Sequence, residues 1–344
     1  MKRKVCCACD VSVVSSDSTL PLCEDCLIRT EDVSESEWFR SSYCCPHVVL
    51  ETHGETMGKL LQRLMLPSPS PSPSKPSAVS ASEALRQIEA EPGAPLLILT
   101  GAGTSVGCGV SPGYGPPYDE NASVNEKYWK VFVEATRARA AAGLGQEGFY
   151  GQLCAYVAAQ AVQRSVCVAT SNIDGLCPSD LGSGKRGLLY ELHGSVARSQ
   201  CSALSTAKCK RSLHTSAAPH GTEDPKHYLG NCPSCSAPLR FNVSGFNDYS
   251  QDVIGTSIAQ RQLRNWVTQH LSATNLFVLC IGCSDHVHSM IHESRAIAYT
   301  RALASGLGTK IICVNPDSDP AEAVGGDCVF VQCNAEELFL STRC

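Results

Sequence analysis

Four apolar segments, each ending at a glycine-rich or polar turn, constrain the fold of this chain more than any other feature. The segments cover residues 94–100, 165–170, 275–282 and 310–315. They are short and nearly free of charged residues, as is typical of strands that are buried on both faces. Helix-like segments alternate with them, the first one capped by Ser82 and running to about Ala90. This alternation predicts an α/β fold with a doubly wound, parallel, Rossmann-like sheet.

Composition divides the chain into three regions. Residues 1–66 are rich in cysteine, residues 67–80 contain the tract PSPSPSPSKPS, and residues 81–344 carry the alternating strands and helices. A Pro/Ser repeat offers no apolar surface for a core, so it predicts an extended linker. We therefore predict an N-terminal module, a linker and a main domain.

The charge and hydropathy patterns exclude several classes of protein. A formal net charge of -5, with no basic run interleaved with aromatic residues, does not favour nucleic acid as a partner. No apolar run is long enough to span a membrane, so we expect no membrane partner. The basic residues at the start are not followed by an apolar stretch, unlike a secretory signal. The expected location is therefore the cytoplasm or the nucleus.

The chain has 21 cysteines, and one group of them has the spacing of a metal site. Reducing compartments keep thiols free, so C-x-x-C pairs there point to metal rather than to disulfides. Four thiolates satisfy a closed, tetrahedral, structural zinc site. The first pair is widely spaced, so a nearby histidine could replace Cys209, and four unrelated cysteines are the simpler alternative. The predicted Zn²⁺ ligands are Cys201, Cys209, Cys232 and Cys235, in a small module of about residues 200–240 that is inserted in the main domain.

A second group of cysteines lies in the N-terminal region and has close to ideal zinc-finger spacing. Its members are Cys6, Cys9, Cys23 and Cys26. An appended zinc module often recognises a protein partner, and a purely stabilising role for the N-terminus is the alternative. The sequence thus predicts two structural zinc sites in different modules.

A glycine-rich turn directly follows the first predicted strand. In such a turn the backbone N–H groups can approach a pyrophosphate, and the start of the next helix favours negative charge. The spacing is not that of a standard G-x-G-x-x-G motif, so a simple tight turn is the alternative. The residues of this turn are Gly101, Ala102, Gly103, Thr104 and Ser105.

The other predicted strands also end in residues that suit a ligand. Because the carboxyl ends of parallel strands share one edge of the sheet, these residues are expected to lie around a common cleft. Asn172 and Asp174 follow the second strand, and His193 stands before a glycine as a candidate general base. Phosphate could meet the turn after the third strand, and ribose hydroxyls could meet the turn after the fourth. Those last two turns contain Gly282, Cys283 and Ser284, and then Asn315 and Asp317.

These segments together resemble the sirtuin family of NAD-dependent protein deacylases. The resemblance covers roughly residues 90 to 340, and the combination of motifs is far more specific than any one of them. The motifs, in chain order, are GAGTS (101–105), SNIDGL (171–176), ELHG (191–194), CPSC (232–235) followed by LRFNVSGF (239–246), GCS (282–284) and VN (314–315).

The resemblance implies roles for individual residues. The Gly101–Ser105 turn would hold the pyrophosphate of NAD, Ser171, Asn172 and Asp174 would shape the nicotinamide and ribose pocket, and His193 would be the general base. Gly282, Cys283, Ser284 and Asn315 would contact the rest of the dinucleotide. Val243 and Phe246 would border a tunnel for the acylated lysine of a protein substrate, and the peptide would pair as a strand near residues 242–244. The implied products are nicotinamide, deacylated lysine and O-acyl-ADP-ribose.

The chain also departs from the family in several places, among them Ser171 and Cys283, which stand where the family has Gln and Thr. Where the family has Pro-Asp-Phe-Arg, this sequence has Ser111-Pro112-Gly113-Tyr114, so the usual aromatic and arginine are absent there. Tyr114 or Tyr118 could replace the aromatic. Two alternatives therefore stand beside deacylation: an ADP-ribosyltransferase or NAD hydrolase that uses the same pocket, and a catalytically weak NAD or ADP-ribose binding scaffold that acts through its N-terminal zinc module.

Overall fold

The structure is a computed structural model that describes most of the main domain and four residues near the start of the chain. The described residues are 4–5, 12–13, 79–111, 123–141, 148–178, 181, 187–203, 212–216, 228–244, 253–283, 289–316 and 328–340. The chain divides into two compact units. One comprises residues 1–74 and 299–307, and the other comprises residues 75–298 and 308–344. The predicted linker falls largely outside the described residues.

Within the first unit the described residues include a short antiparallel ladder. Strand β1 covers Lys4–Val5 and strand β2 covers Ser12–Val13, with Lys4 opposite Val13. The N-terminal cysteines of the predicted zinc module, Cys6, Cys9, Cys23 and Cys26, lie outside the described residues. The prediction of a metal site there therefore stays a prediction.

The second unit is built on a six-stranded parallel sheet. The strands are β3 (Leu96–Thr100), β4 (Val166–Thr170), β5 (Gly187–Glu191), β9 (Phe277–Ile281), β10 (Lys310–Val314) and β11 (Cys328–Val331). Their order in the sheet is β11-β10-β9-β3-β4-β5, and every neighbouring pair is parallel. This confirms the predicted Rossmann-like class.

Among the described residues there are six helices, and a short 3-10 turn over Ala102–Ser105 follows β3. The helices are α1 (Ala81–Glu89), α2 (Val124–Ala140), α3 (Phe149–Ala161), α4 (Thr256–Gln269), α5 (Ser289–Ser305) and α6 (Ala335–Leu340). None of the helices among the described residues combines the length and apolarity needed to cross a bilayer.

Alternate residues of the central strand β3 pack into two separate hydrophobic cores. Leu96 and Ile98 pack in a cluster with residues of α1, α2 and α3, whereas Leu97 and Leu99 pack with residues of α4 and α5. All four side chains are fully buried. Helices on both faces thus explain why the predicted strands are continuously apolar rather than alternating.

A smaller antiparallel sheet follows β5. It has the order β7-β6-β8, with β6 at Gly194–Cys201, β7 at Leu213–Thr215 and β8 at Leu239–Val243. The start of β6 packs against the segment after β4, because Val196 donates a backbone hydrogen bond of 2.7 Å to Ile173. The module predicted at about residues 200–240 would lie between the end of β6 and the start of β8.

The structure corrects one detail of the sequence analysis. The cap of α1 is Ser80 rather than Ser82, since Ser80 Oγ accepts a hydrogen bond from the backbone N–H of Glu83. Both serines precede an acidic residue and stand near the same apolar stripe, so the pattern alone did not distinguish them. Strands β5 and β11, the two edge strands of the sheet, were not predicted from the sequence.

Three glycines let the turns after β3 and β9 touch through their backbones. A Cβ on Gly101 would lie 2.6 Å from the carbonyl oxygen of Gly282, and one on Gly103 would lie 2.8 Å from Gly282 Cα. Gly103 also donates a backbone hydrogen bond of 3.0 Å to Gly282. Gly282 itself has a φ of +61°, and a Cβ there would lie 2.6 Å from Thr104 N. No residue with a side chain fits at these positions without moving the backbone.

Gly282→Ala is expected to destabilise the protein well beyond the cost of its left-handed backbone. Gly93→Ala is the matched control, because Gly93 also has a positive φ but a Cβ there meets nothing within 4 Å. We expect a loss of about 1–2 kcal/mol for the control and at least about 2 kcal/mol more for Gly282→Ala. Urea unfolding of both variants measures the difference, and equal losses would show that the backbone contact is not tight.

Candidate functional site

The turn after β3 and the turn after β4 are joined by a buried hydrogen bond between side chains. Ser105 Oγ donates to Asp174 Oδ2 over 2.6 Å. The other carboxylate oxygen, Asp174 Oδ1, accepts the backbone N–H of Leu176 over 2.8 Å. Ser105 and Asp174 are both almost completely buried. Two residues that are 69 positions apart in the sequence therefore meet at the edge where a ligand was predicted.

Asn172 belongs to the same network. Its amide nitrogen donates to Thr104 Oγ1 over 2.9 Å and lies 3.2 Å from Ser105 Oγ. Its backbone N–H donates to Thr170 Oγ1 over 3.0 Å, which fixes the start of the turn. Asn172 Oδ1 makes no hydrogen bond to a described residue and is not sealed from solvent. This leaves a carbonyl oxygen as an acceptor for a ligand.

Tyr150, in the first turn of α3, completes the network and was not identified from the sequence. Its hydroxyl lies 2.8 Å from Ser105 Oγ, 3.3 Å from Thr104 Oγ1 and 3.3 Å from Asn172 Nδ2. Its side chain is 1% exposed. The only signal for it in the sequence is an aromatic pair at the start of an apolar helix, which more often marks a core.

The environment of Asp174 opposes its charge. Burial raises the pKa of the Asp174 carboxyl, and the hydrogen bonds from Ser105 and Leu176 and the nearby Arg139 guanidinium counteract part of that rise. Arg139 comes from α2, and its own pKa is lowered mainly by burial. A buried carboxylate held by donors that are already in place is typical of a functional site.

A cleft opens beside this network. Its enclosed volume is only about 20 Å³, and it lies between the turns after β3 and β4 on one side and α2 on the other. Ser111, which lines the cleft, forms two hydrogen bonds to the carboxylate of Glu134 in α2. The Ser111 backbone N–H donates over 2.8 Å and the Ser111 hydroxyl over 3.1 Å. The remaining lining residues are Ala102, Ser105, Val110, Val131, Asn172, Ile173 and Asp174.

His193 lies in the two-residue connection between β5 and β6. Its carbonyl oxygen accepts a hydrogen bond of 2.8 Å from Ser244 N, and the next residue, Gly194, has a φ of +77°. A Cβ on Gly194 would lie 2.0 Å from Asn242 O, so only glycine lets the chain turn here. The surrounding protein lowers the pKa of the half-buried His193 ring by desolvation. The ring is therefore neutral, and able to accept a proton, at neutral pH.

A side-chain hydrogen bond joins the turns after β9 and β10. Asn315 Nδ2 donates to the carbonyl oxygen of Cys283 over 3.0 Å. The buried Cys283 thiol points back to the sheet, toward Leu99 O and Ile281 O, so any contact of Cys283 with a dinucleotide would use its backbone. Gly282 shapes this turn through its contact with Gly101 and Gly103. Ser284, the predicted phosphate contact, lies outside the described residues.

The predicted substrate strand would meet β8, which is an edge strand of the small sheet. Asn125 of α2 covers the first part of that edge, because its side chain accepts Phe241 N–H over 2.9 Å and donates to Leu239 O over 3.2 Å. By the alternation of a strand, Val243 is the next residue whose backbone groups face that edge, and its carbonyl oxygen already accepts a hydrogen bond of 3.0 Å from Arg240 Nη2. The Val243 side chain is fully buried in the core, and Phe246 lies outside the described residues.

Three cysteines of the inserted module come together as a metal site requires. The sulfur atoms of Cys201, Cys232 and Cys235 all lie within 4.8 Å of one another, close to the roughly 3.8 Å that neighbouring thiolates adopt around zinc. Backbone N–H groups of Ser234 and Cys235 lower the pKa of Cys232 to about 7. The predicted fourth ligand, Cys209, lies outside the described residues. The donors present fit a structural Zn²⁺.

Comparison with known proteins decides the family. Residues 121–289 match the model of the Sir2 family. This stretch, about half of the chain, belongs to the Sir2 family. This confirms the resemblance to sirtuins that the motifs predict. No curated protein matches the chain.

Solved Sir2 structures resemble the chain only distantly. A structure from a study of sirtuin substrate affinity has 19% identity and a TM-score of 0.46, and the match covers 76% of this chain and 97% of that one. A Sir2 homologue in complex with NAD has 18% identity and a TM-score of 0.46, with coverage of 76% and 93%. Sir2 bound to an acetylated peptide has 18% identity and a TM-score of 0.44, with coverage of 77% and 97%. Because each TM-score is below 0.5, these likenesses carry no part of the assignment.

At pH 7 the free energy of unfolding of Asp174→Asn is expected to be at most about 1 kcal/mol below that of the wild type, or higher than it. The variant keeps an oxygen for Leu176 N–H and removes a buried charge. Because the folded state raises the pKa of Asp174, the ionised carboxylate costs stability above pH 3.8, and the benefit of Asn grows with pH from there. Asp174→Ala, which removes both acceptors, should instead lose about 2 kcal/mol. Urea unfolding at pH 5 and pH 7 checks this, and a large loss for Asp174→Asn would contradict it.

Cys232→Ser is expected to remove one zinc equivalent per chain relative to the wild type, because a serine hydroxyl does not replace a thiolate in a closed site. Cys333→Ser is the matched control, since Cys333 stands apart from the cysteine cluster and should not change the zinc content. Elemental analysis of the purified proteins measures the difference. Equal zinc content in Cys232→Ser and wild type would contradict the site.

Proposed function

We propose that this protein binds NAD in the cleft between the β3 and β4 turns and cleaves it at the nicotinamide bond, so as to remove acyl groups from protein lysines. The observation that carries the proposal is the buried Ser105–Asp174–Asn172 network beside the cleft, in a Sir2 family chain. The network leaves Asn172 Oδ1 as an acceptor where the sugar of a dinucleotide would lie.

The residues of the site fit the parts of NAD. The turn over Ala102–Ser105 would present backbone N–H groups to the pyrophosphate, because its close contact with Gly282 fixes its path. Asn172 and Asp174 would orient the nicotinamide ribose. When bound, NAD supplies a glycosidic bond with nicotinamide as a ready leaving group.

His193 would act as the general base on a ribose hydroxyl. Its pKa is lowered by desolvation, so the imidazole is in the basic form at neutral pH. The connection that carries it is rigid, because the Gly194 turn permits no other residue and Ser244 N binds the His193 carbonyl oxygen. The backbone that carries the ring is therefore fixed at the end of β5.

The acyl-lysine peptide would add to the outer edge of β8 from Val243 onward. Main-chain pairing of this kind accepts many sequences, while the lysine side chain enters the pocket. Asn125 already occupies the edge at Leu239 and Phe241, so the peptide would engage only the later part of the strand. Cys201, Cys232 and Cys235 would hold a structural zinc that keeps this small sheet folded.

Release of nicotinamide from NAD, with and without an acetyl-lysine peptide, tests the proposal. We expect release that depends on the peptide and falls by at least about 100-fold in His193→Ala. Release without peptide would instead support hydrolase or transferase chemistry in the same pocket. No release from zinc-loaded, folded protein would rule out the enzyme and favour the binding scaffold.

The pH dependence of kcat/KM is expected to report His193. The active form is the neutral imidazole, so activity should fall on acidification through a pKa below 6.5 and stay level above it. A profile with its acid limb well above pH 6.5 would contradict the assignment of His193 as the base.

A further inference from the structure

The direction of the hydrogen bond between Tyr150 and Ser105 follows from the number of protons that the hydroxyl groups can donate. An ionised Asp174 only accepts hydrogen bonds, so Ser105 donates its proton to Asp174 Oδ2. Ser105 has no second proton, so the 2.8 Å bond between Ser105 and Tyr150 is donated by Tyr150. Thr104 likewise uses its proton on Gly101 O, over 2.8 Å. All three hydroxyl protons near Asn172 are thus committed elsewhere.

This arrangement dictates which way the Asn172 amide faces. The hydroxyl oxygens of Thr104, Ser105 and Tyr150 lie 2.9, 3.2 and 3.3 Å from the Asn172 amide nitrogen, and toward Asn172 each can act only as an acceptor. A flipped amide would set its carbonyl oxygen against three acceptors. Only the orientation with the nitrogen inward is compatible with them, and it leaves Asn172 Oδ1 toward the cleft.

Tyr150 is the member of this set that comes from a helix rather than from a strand-end turn. Its ring packs edge-on against Phe149, with the centroids 5.2 Å apart, so the hydroxyl has little freedom. Burial raises the pKa of Tyr150 well above its ordinary value, which keeps the hydroxyl protonated and able to donate to Ser105.

We propose that Tyr150 is a positioning residue that locks the Asn172 amide and the Ser105 hydroxyl, so that the cleft offers the Asn172 carbonyl oxygen as an acceptor for a ribose hydroxyl. The ligand named here rests on the proposed function, whereas the orientation of the amide does not depend on it. Tyr150 acts through Ser105 and Asn172 and need not touch the ligand.

Tyr150→Phe tests the proposal because it removes only the hydroxyl. Tyr156→Phe is the matched control on the same helix, since the buried Tyr156 hydroxyl makes no hydrogen bond to a described residue. In the full-length, zinc-loaded protein, we expect Tyr150→Phe to weaken NAD binding about tenfold in a calorimetric titration. Tyr156→Phe should bind NAD as the wild type does, with an equal or higher melting temperature.

A second measurement does not need a ligand. In protein labelled with ¹⁵N-asparagine, the side-chain amide of Asn172 is identified as the signal that is missing from Asn172→Asp. We expect its hydrogens to exchange with solvent about tenfold faster in Tyr150→Phe and unchanged in Tyr156→Phe. An Asn172 signal that is the same in Tyr150→Phe and wild type would overturn the proposal. Absence of NAD binding by the wild type would defeat the proposed function alone, and the exchange of this amide would still decide the role of Tyr150.

Discussion

The buried carboxylate of Asp174 is the constraint on which the rest of this site depends. A charge withdrawn from water costs free energy unless donors surround it, and Asp174 meets Ser105 Oγ at 2.6 Å and Leu176 N at 2.8 Å. Ser105 then needs a donor of its own, which Tyr150 provides, and Asn172 takes the only orientation that remains. One desolvated charge thereby determines the direction of a chain of hydrogen bonds drawn from two turns and a helix.

The backbone of the sheet edge makes that chain possible. Gly101 and Gly103 pack on Gly282 without side chains between them, so the turns after β3 and β9 approach more closely than any other residues would allow. The approach fixes the path of the 3-10 turn that carries Thr104 and Ser105. The same three glycines therefore determine both the backbone packing and the position of the site residues. A change that disturbs the packing would also displace the site residues.

Sequence patterns predicted the parts of this protein that depend on local order. The four apolar strands form as expected, and Ser105, Asn172 and Asp174 meet at one edge, because strand periodicity and the parallel topology bring those turns together. Tyr150 was missed because its contact with Ser105 spans 45 residues and depends on how α3 is rotated against the sheet. Sequence spacing also does not predict side-chain orientation. Two examples are the Cys283 thiol, which points toward Leu99 O, and the Asn315 side chain, which donates a hydrogen bond to Cys283 O.

The central claim is that the cleft beside Asn172 and Asp174 binds NAD. Equilibrium binding of labelled NAD to the full-length, zinc-loaded protein tests it most directly, with Asn172→Ala measured in parallel. The account predicts one saturable site per chain in the wild type, weakened at least about tenfold in the variant, which loses the acceptor that faces the cleft. No saturable binding, or equal binding by both proteins, would contradict it.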